Sequence, residues 1–258
     1  SSKTRAKVLA SAKALGYRPN AIARSLITNR SRIIAVVMAY LENLFYPEVL
    51  EELGRALAAE NYHLLLFTGF LDRDSDPVFD QLMQYRVDGI ILASTTLSSE
   101  LAEECASVGI PVVLFNRTTE RDAVSSVTTR NREGGRRIAE FLVAGGHQRF
   151  AYITGIESSS TNRDRQAGFV EALAAHGHDD IIVERGNFNR LEAEAAARAM
   201  LTRTDRPDAI FVGNDHMAVA VMDVARHEFG LRVPEDVSII SGDATLRPDV
   251  SKVQLTSI

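Results

Sequence analysis

Polar and aromatic residues follow most of the apolar, β-branched runs of this sequence. They carry amide, hydroxyl, guanidinium and carboxylate groups together with aromatic rings. Their positions are Asn43-Leu44-Phe45-Tyr46, Asn116-Arg117, Ser158 to Arg165, Phe188, Asn214-Asp215 and Asp243. Open α/β sheets bind ligands beyond the carboxyl ends of their strands, so this set predicts a cleft for a polyhydroxylated or planar polar molecule. Polar residues also follow strands in α/β proteins that bind nothing there, and the pattern alone leaves that alternative open.

The sequence lacks the short motifs of common catalytic sites. It has no G-x-G-x-x-G after a strand, no G-x-x-x-x-G-K-[ST] and no G-x-S-x-G. The motifs of dinucleotide binding, P-loop nucleotide binding and serine hydrolysis are therefore absent from the sequence. The six histidines do not show metal-ligand spacing, and their nearest approach to a cluster is His176 and His178 beside Asp179-Asp180. We therefore expect no catalytic residue, no metal and no cofactor.

Alternating strands and helices must position the strand-end residues. The predicted strands are Ile33 to Met38, His63 to Thr68, Gly89 to Ala93, Pro111 to Phe115, Phe150 to Thr154, Asp180 to Val183, Ala209 to Val212 and Val237 to Ile240. The predicted helices between them are Tyr46 to Glu60, Pro77 to Tyr85, Ser99 to Val108, Glu133 to Ala144, Arg163 to His176, Leu191 to Leu201 and His216 to Phe229. This βαβ spacing predicts an α/β fold of two tandem doubly wound parallel sheets, with a cleft between them.

Length and composition agree with that fold. At 258 residues, with 45% apolar and 24% charged residues, the chain resembles ordinary globular proteins and has room for two domains. Its apolar runs are far too short to cross a bilayer, so no membrane span is expected. The single cysteine, Cys105, excludes an internal disulfide framework and suits the cytoplasm, although a disulfide-free exported protein has the same composition.

Charge is divided sharply between the first 32 residues and the rest. Residues 1–32 carry eight Lys and Arg and no acidic residue, whereas the remainder has a net charge of −13. A basic segment on an acidic body is typical of a nucleic-acid-binding arm, because neutralising phosphates releases counterions. A transit peptide and a solvated helix fit the same charge.

The basic segment predicts two helices with a break between them. Val8, Ala12 and Leu15 share one face of a helix over residues 4–15, and Gly16 ends it. Pro19 cannot continue a helix, and Asn20 is a preferred N-cap for a new helix. That second helix has under two turns and is marginal in water, so it needs a partner.

Several motifs occur along the chain in a fixed order. They are Thr4-Arg5, Val8-Leu9, Leu15-Gly16-Tyr17-Arg18-Pro19-Asn20-Ala21, Ala23-Arg24-Ser25-Leu26, Val87-Asp88-Gly89-Ile90-Ile91, Gly109-Ile110-Pro111-Val112-Val113, Gly145-Gly146-His147, Arg165-Gln166-Ala167-Gly168-Phe169, Asn214-Asp215-His216-Met217-Ala218 and Leu231-Arg232-Val233-Pro234-Glu235-Asp236-Val237-Ser238. With these motifs the chain resembles, over nearly its whole length, bacterial transcription regulators of the lactose-repressor/galactose-repressor (LacI/GalR) family.

This resemblance implies a role for the short helix. Residues 20–26 would form a hinge helix that pairs with its copy in a homodimer and enters the minor groove of operator DNA, with Leu26 wedged between base steps. The implied DNA-binding residues are Tyr17, Arg18, Asn20, Ala21, Arg24, Ser25 and Leu26. If the hinge helix folds only with dimer and DNA, a ligand that changes the hinge spacing changes DNA affinity.

The resemblance also implies a periplasmic-binding-protein-like (type I) fold with a small-molecule effector in its cleft. A sugar or sugar derivative is the first expectation for this effector, and a purine is the alternative that stays open. The implied effector-binding residues are Phe45, Tyr46, Asn116, Ser159, Thr161, Arg165, Phe188, Asn214 and Asp243. Arg165 and Asp243 would hydrogen-bond the polar groups of the effector, and Phe188 would stack on it.

The chain departs from the family's pattern at the cleft and at its two ends. Gly242 stands where an aromatic residue is usual, which predicts a more open cleft wall. Arg130 stands where aspartate is common, which favours an anionic effector. The chain begins after the position of the family's recognition helix and stops at Ile258, so we expect both ends to belong to a longer protein.

The resemblance implies three segments and one function, beside which a second function stands as the alternative. We expect residues 1–29 to be the remainder of a helix-turn-helix domain with the hinge, 30–130 the N-terminal effector subdomain, and 131–258 the C-terminal subdomain, incomplete at its end. The expected function is a cytoplasmic, dimeric, effector-responsive repressor that binds operator DNA. The alternative is a periplasmic-type sugar-binding protein of a transport system, which does not account for the basic segment.

Overall fold

Strands and helices alternate along most of the chain. The computed structural model describes residues 2–17, 30–38, 41–68, 76–93, 104–105, 107–118, 124–243 and 256–257. The strands are β1 Ile33–Met38, β2 His63–Thr68, β3 Gly89–Ala93, β4 Val112–Phe115, β5 Ser125–Val127, β6 Phe150–Thr154, β7 Ile181–Arg185, β8 Ala209–Val212, β9 Ser238–Ser241 and β10 Thr256–Ser257. The helices are α1 Ser2–Ala14, α2 Phe45–Ala59, α3 Asp76–Tyr85, α4 Asn131–Ala144, α5 Ser160–Ala175, α6 Arg190–Leu201 and α7 Asp215–Asp223, which continues as a π-helical turn over Val224–Glu228.

The described strands form two parallel sheets. One has the order β2-β1-β3-β4-β5, and the other has the order β10-β9-β8-β6-β7. We call the first sheet with α2 and α3 lobe 1, and the second sheet with α4 to α7 lobe 2. Strands β6 and β8 are buried along their whole length because helices cover both faces of the lobe 2 sheet. The predicted α/β fold with two doubly wound parallel sheets is confirmed.

The carboxyl ends of the strands lead directly into the helices that carry polar side chains. Strand β6 ends at Thr154 and α5 begins at Ser160, and β8 ends at Val212 just before α7. Side-chain caps fix three of these helix starts: Ser159 accepts from the Asn162 amide, Asn189 from Glu192 and Asn214 from Met217. Side-chain hydrogen bonds therefore hold three helix starts at this edge of the lobe 2 sheet.

Glycines let α4 and α5 pack with their backbones in contact. A Cβ atom at Gly168 would lie 1.9 Å from the carbonyl oxygen of Arg132, and one at Gly135 would lie 2.1 Å from the carbonyl oxygen of Arg165. No larger residue fits at either position without separating the helices. This close crossing brings Asn131, at the start of α4, next to Arg165 in α5.

The basic N-terminal segment begins with α1, and none of its residues is buried. Gly16 follows with a φ of +66°, the left-handed conformation that the sequence predicts for a helix stop. Of the predicted DNA-binding residues, Tyr17 is 65% exposed, whereas Arg18, Asn20, Ala21, Arg24, Ser25 and Leu26 lie outside the described residues. No helix in the described part of the chain is long and apolar enough to span a membrane.

Candidate functional site

A cavity that opens to solvent lies between the two lobes. Its walls are Glu42, Asn43, Phe45, Tyr46, Asn116, Arg117, Ser159, Thr161, Arg165, Phe188, Asn214, His216 and Asp243. All nine residues predicted to bind an effector are in this set. Arg130 is not, and it lines an adjoining space beside α4 instead.

Two cavity residues were absent from the strand-end set. Glu42 lies in the loop after β1, one residue before Asn43, and His216 lies in the first turn of α7. Both residues are adjacent in sequence to predicted strand-end residues, Asn43 and Asp215. Extending each predicted loop by one residue would have included them.

Arg165 and Asp243 form a buried ion pair in the floor of the cavity. Nη2 of Arg165 lies 2.8 Å from Oδ1 of Asp243, and the two side chains are 9% and 13% exposed. The same guanidinium donates from Nε to Oδ1 of Asn131 at 3.0 Å and from Nη1 to the carbonyl oxygen of Gly213. With every nitrogen engaged, the guanidinium has one orientation, which also fixes the carboxylate that faces the cavity.

Burial shifts the pKa values of two cavity residues, Asp243 and Tyr46. It raises the pKa of Asp243, and the Arg165 guanidinium opposes that shift because it stabilises the carboxylate. Burial likewise raises the pKa of the Tyr46 hydroxyl, which lies 3.5 Å from the amide nitrogen of Asn116. Tyr46 therefore stays a neutral hydrogen-bonding group near neutral pH.

Gly242 lies directly under the Arg165 side chain. A Cβ atom at Gly242 would be 3.0 Å from Nη1 and 3.2 Å from Cδ of Arg165. The absence of an aromatic side chain at this position was predicted to leave the cleft wall more open. Arg165 itself occupies part of that space. Glycine at this position allows the guanidinium to reach the Gly213 carbonyl.

The aromatic walls come from both lobes. In lobe 1 the Phe45 ring packs edge-on against Tyr46 at 5.2 Å and stacks on Phe115 at 6.1 Å. In lobe 2 Phe188 has a φ of +55°, which is unusual for a bulky residue and directs the ring across Gly155. A planar or sugar-ring ligand between these walls would meet aromatic surface from each side.

Gly155→Ala is expected to push the Phe188 ring into the cavity. The new Cβ would lie 2.0 Å from Cζ of Phe188, and the end of a side chain moves more easily than backbone. We expect affinity for a cavity ligand to fall at least tenfold, with a stability loss of about 1–2 kcal/mol, near the low end for overpacking. Calorimetric titration with thermal unfolding of the same variant measures both; a variant that binds as tightly as wild type would show that Phe188 lies outside the ligand's reach.

Direct contacts hold the lobes together around the cavity. Oγ1 of Thr161 in α5 donates to the carbonyl oxygen of Asn116 at 2.7 Å, and the amide of Thr118 donates to Oγ of Ser160 at 3.0 Å. At the mouth, Nε2 of His216 lies 4.0 Å from Oε2 of Glu42. The cleft residues of lobe 1 are thus fixed relative to those of lobe 2 in this structure.

The chain matches the family model for periplasmic binding proteins and the sugar-binding domain of the LacI family over residues 31–257. It is 31% identical over 260 residues to catabolite control protein A of Priestia megaterium, covering 99% of this chain and 78% of that protein. The chain belongs to the LacI family. Among other LacI-family members, the transcriptional regulator CelR of Thermobifida fusca is 32% identical over 264 residues, covering 99% of this chain and 77% of CelR.

Solved structures of LacI-family members have the same architecture. The structure of a transcriptional regulator CelR-cellobiose complex aligns with a TM-score of 0.76 and 30% identity, covering 94% of this chain and 74% of that one. These relatives are transcriptional regulators rather than enzymes. The sequence relatives match almost the whole chain, including its basic N-terminal segment. The chain is therefore an effector-responsive transcriptional regulator, and the alternative of a transport binding protein is not supported.

Proposed function

We propose that this LacI-family chain is a cytoplasmic repressor that binds operator DNA as a homodimer and a neutral sugar in the interlobe cavity. The observation that carries the proposal is the cavity itself, where both lobes contribute polar groups around the buried Arg165–Asp243 pair. Residues 30–130 and 131–258 act as the two halves of the effector domain, and Tyr17 to Leu26 act as the hinge that contacts DNA.

The cavity chemistry favours a neutral hydroxylated ligand. Asn43, Asn116 and Asn214 supply amide groups, and the charged side chains at the wall are balanced between acids and bases. Hydroxyl groups both donate and accept, so they pair with amides and with the Asp243 carboxylate alike. The related CelR structure contains cellobiose, a neutral sugar. The anionic effector suggested by Arg130 has less support, since Arg130 does not line the cavity.

Ligand binding would act on DNA through the relative position of the lobes. A ligand that contacts both lobes stabilises one separation of them, and each lobe 1 carries a hinge segment at its N-terminal side. In a dimer, a change in lobe position alters the distance between two weakly helical hinges. Because such short helices need each other and DNA to fold, a small change in their spacing is expected to change operator affinity.

Asp243→Asn tests the cavity as the effector site. We expect it to weaken binding of the ligand by at least about tenfold, because a hydrogen bond to a charged group is worth about 1.5–3 kcal/mol. The ligand is first found by thermal shift against cellobiose, other sugars, sugar phosphates and purines, since a ligand of the native state raises the melting temperature. Asp205→Asn is the matched control, because Asp205 is exposed, pairs with Arg203 and does not line the cavity.

Gel shift of promoter DNA with the full-length protein, with and without the ligand found, tests the regulator function. The proposal predicts that the ligand changes DNA affinity and that Asp243→Asn reduces this response. Equal ligand affinity in wild type and Asp243→Asn, or a gel shift that does not respond to any ligand that binds, would refute it.

A further inference from the structure

Lobe 2 contains a second polar pocket on the other side of the first turns of α5. It has a volume of about 240 Å³ and lies between the end of β6, α5 and the edge strand β7. Its polar walls are Thr154, Glu157, Asn162, Gln166, Arg185 and Asn187. None of these residues lines the interlobe cavity. The two faces of α5 therefore serve different spaces, with Thr161 and Arg165 on one and Asn162 and Gln166 on the other.

Asn162 is the more deeply buried of two buried polar residues in this pocket, the other being Thr154. Asn162 is 3% exposed, and its Oδ1 accepts from the hydroxyl of Tyr152 at 2.9 Å and from the amide of Gly155 at 2.7 Å. Two donors at one atom identify that atom as the oxygen, so the NH₂ group points the other way. That NH₂ group donates to no residue in the described part of the chain. Because Asn162 lines the pocket, this NH₂ group is accessible to a molecule bound there and can donate to it.

The side chains around Asn162 indicate which kind of molecule would bind in this pocket. Thr154 is buried at the end of β6, and its hydroxyl has no hydrogen-bond partner among the described residues. At the rim, Nη2 of Arg185 lies 3.1 Å from Oε2 of Glu157, so the one cation and the one anion neutralise each other. Amide, hydroxyl and balanced charge match a neutral molecule with several hydroxyl groups. The volume of about 240 Å³ exceeds the space of a few waters and lies just below the range of about 300–1,000 Å³ for drug-sized ligands, so it suits a smaller molecule.

From this geometry we propose that the pocket is a second small-molecule site, which binds a neutral polyol of monosaccharide size. Its occupant accepts from the Asn162 amide and pairs with the Thr154 hydroxyl, while Val183 of β7 supplies the apolar wall. The site is separate from the interlobe cavity and does not depend on the ligand proposed there.

An occupant of the second pocket would contact the backbone that shapes the interlobe cavity. Gly155 lies between them, with the Phe188 ring against one side and the Asn162 oxygen bonded to its amide. Asn187, in the wall of the second pocket, and Phe188, in the wall of the cavity, are consecutive residues with φ values of +49° and +55°. Binding at one site is thus expected to change affinity at the other, and the change must be reciprocal.

Amide chemical-shift mapping with D-glucose tests the site. At concentrations on the order of 10 mM, above the millimolar Kd of a weak site, we expect D-glucose to shift the amides of Gly155, Asn162 and Asn187. The same shifts are expected in Asp243→Asn, in which the interlobe cavity is impaired. Val183→Trp fills the pocket. We expect the apparent affinity for D-glucose, measured from these shifts, to fall at least tenfold in this variant.

Two further variants make the result specific. Leu191→Trp adds the same indole at a position that is 72% exposed and lines neither space, so it should bind like wild type. Thr154→Val keeps the side-chain shape, removes only the hydroxyl, and is expected to weaken binding severalfold if Val183→Trp fails to fold. Absence of shifts at the three pocket amides, or shifts that Asp243→Asn abolishes, would overturn the proposal. Pocket binding without any ligand for the interlobe cavity would instead count against the proposed function alone.

Discussion

Replacing Arg165 by methionine is expected to lower the free energy of unfolding by about 3–5 kcal/mol at pH 7, the cost of breaking a buried ion pair from one side. The change leaves the Asp243 carboxylate buried without its cation, and it removes bonds to Asn131 and the Gly213 carbonyl. Urea unfolding followed by circular dichroism measures the loss. A decrease below about 1 kcal/mol would mean that water solvates the pair, as at an exposed surface.

The same variant should be rescued by acid and by a second substitution. Burial already raises the pKa of Asp243, and without Arg165 the pKa rises further, so the folded variant binds a proton that the unfolded chain has released. Its stability therefore falls as pH rises above the ordinary range of an aspartate, and its deficit against wild type shrinks as pH approaches about 4. Arg165→Met combined with Asp243→Leu removes both charges and should recover most of the loss at pH 7.

Gly135→Ala is expected to cost about 3 kcal/mol or more, the upper end for overpacked sites. The added Cβ would meet the carbonyl oxygen of Arg165 at 2.1 Å, and this obstacle is backbone that cannot rotate away. Helices α4 and α5 must separate, which also moves Asn131 from the Arg165 guanidinium. Thermal and urea unfolding measure the stability, and the affinity of a cavity ligand should fall with it.

The neighbouring Gly134→Ala is the matched control. A Cβ there meets nothing within 4 Å in the same helix, so alanine should raise stability by about 0.5–1 kcal/mol through the lower entropy of the unfolded chain. Two adjacent substitutions of identical chemistry should thus have opposite signs. If both raise stability, the close crossing of α4 and α5 is not the contact that holds the lobe together.

Most of the fold follows from patterns visible in the sequence. Strands such as Ile33–Met38 and Phe150–Thr154 are continuous apolar runs, and their ends agree with the prediction to the residue. Strands β5 and β10 were not predicted, because β5 consists of three exposed residues, Ser125–Val127, and β10 of two. Neither contains the apolar run by which a buried strand is recognised. Most of the predicted helix over residues 99–108 lies outside the described residues.

The members of the cavity were easier to predict than its geometry. Strand ends and family motifs identify which residues meet at one edge of the sheets, and all nine lie around one cavity. The left-handed backbone of Phe188 and the contact of Gly135 with Arg165 are not visible in the sequence, because each depends on residues far apart in the chain. The second pocket was missed for the same reason, since Asn162 reads simply as a polar residue in the first turn of a helix.

The role of the hinge in DNA binding stays a prediction, because Arg18 to Leu26 lie outside the described residues. Its support comes from the resemblance of residues 16–26 and from relatives that match the chain from end to end. Substituting Leu26 or Arg24 in the full-length protein would examine it independently of the cavity.

Regulation through the position of the lobes requires that one small molecule is held by both lobes at once. A crystal structure of the protein with the first compound that raises its melting temperature measures this directly. We predict electron density for the compound between Asn116 of lobe 1 and Asp243 of lobe 2, with Phe188 against its face. Density that contacts a single lobe, or that lies away from the Arg165–Asp243 pair, would contradict it.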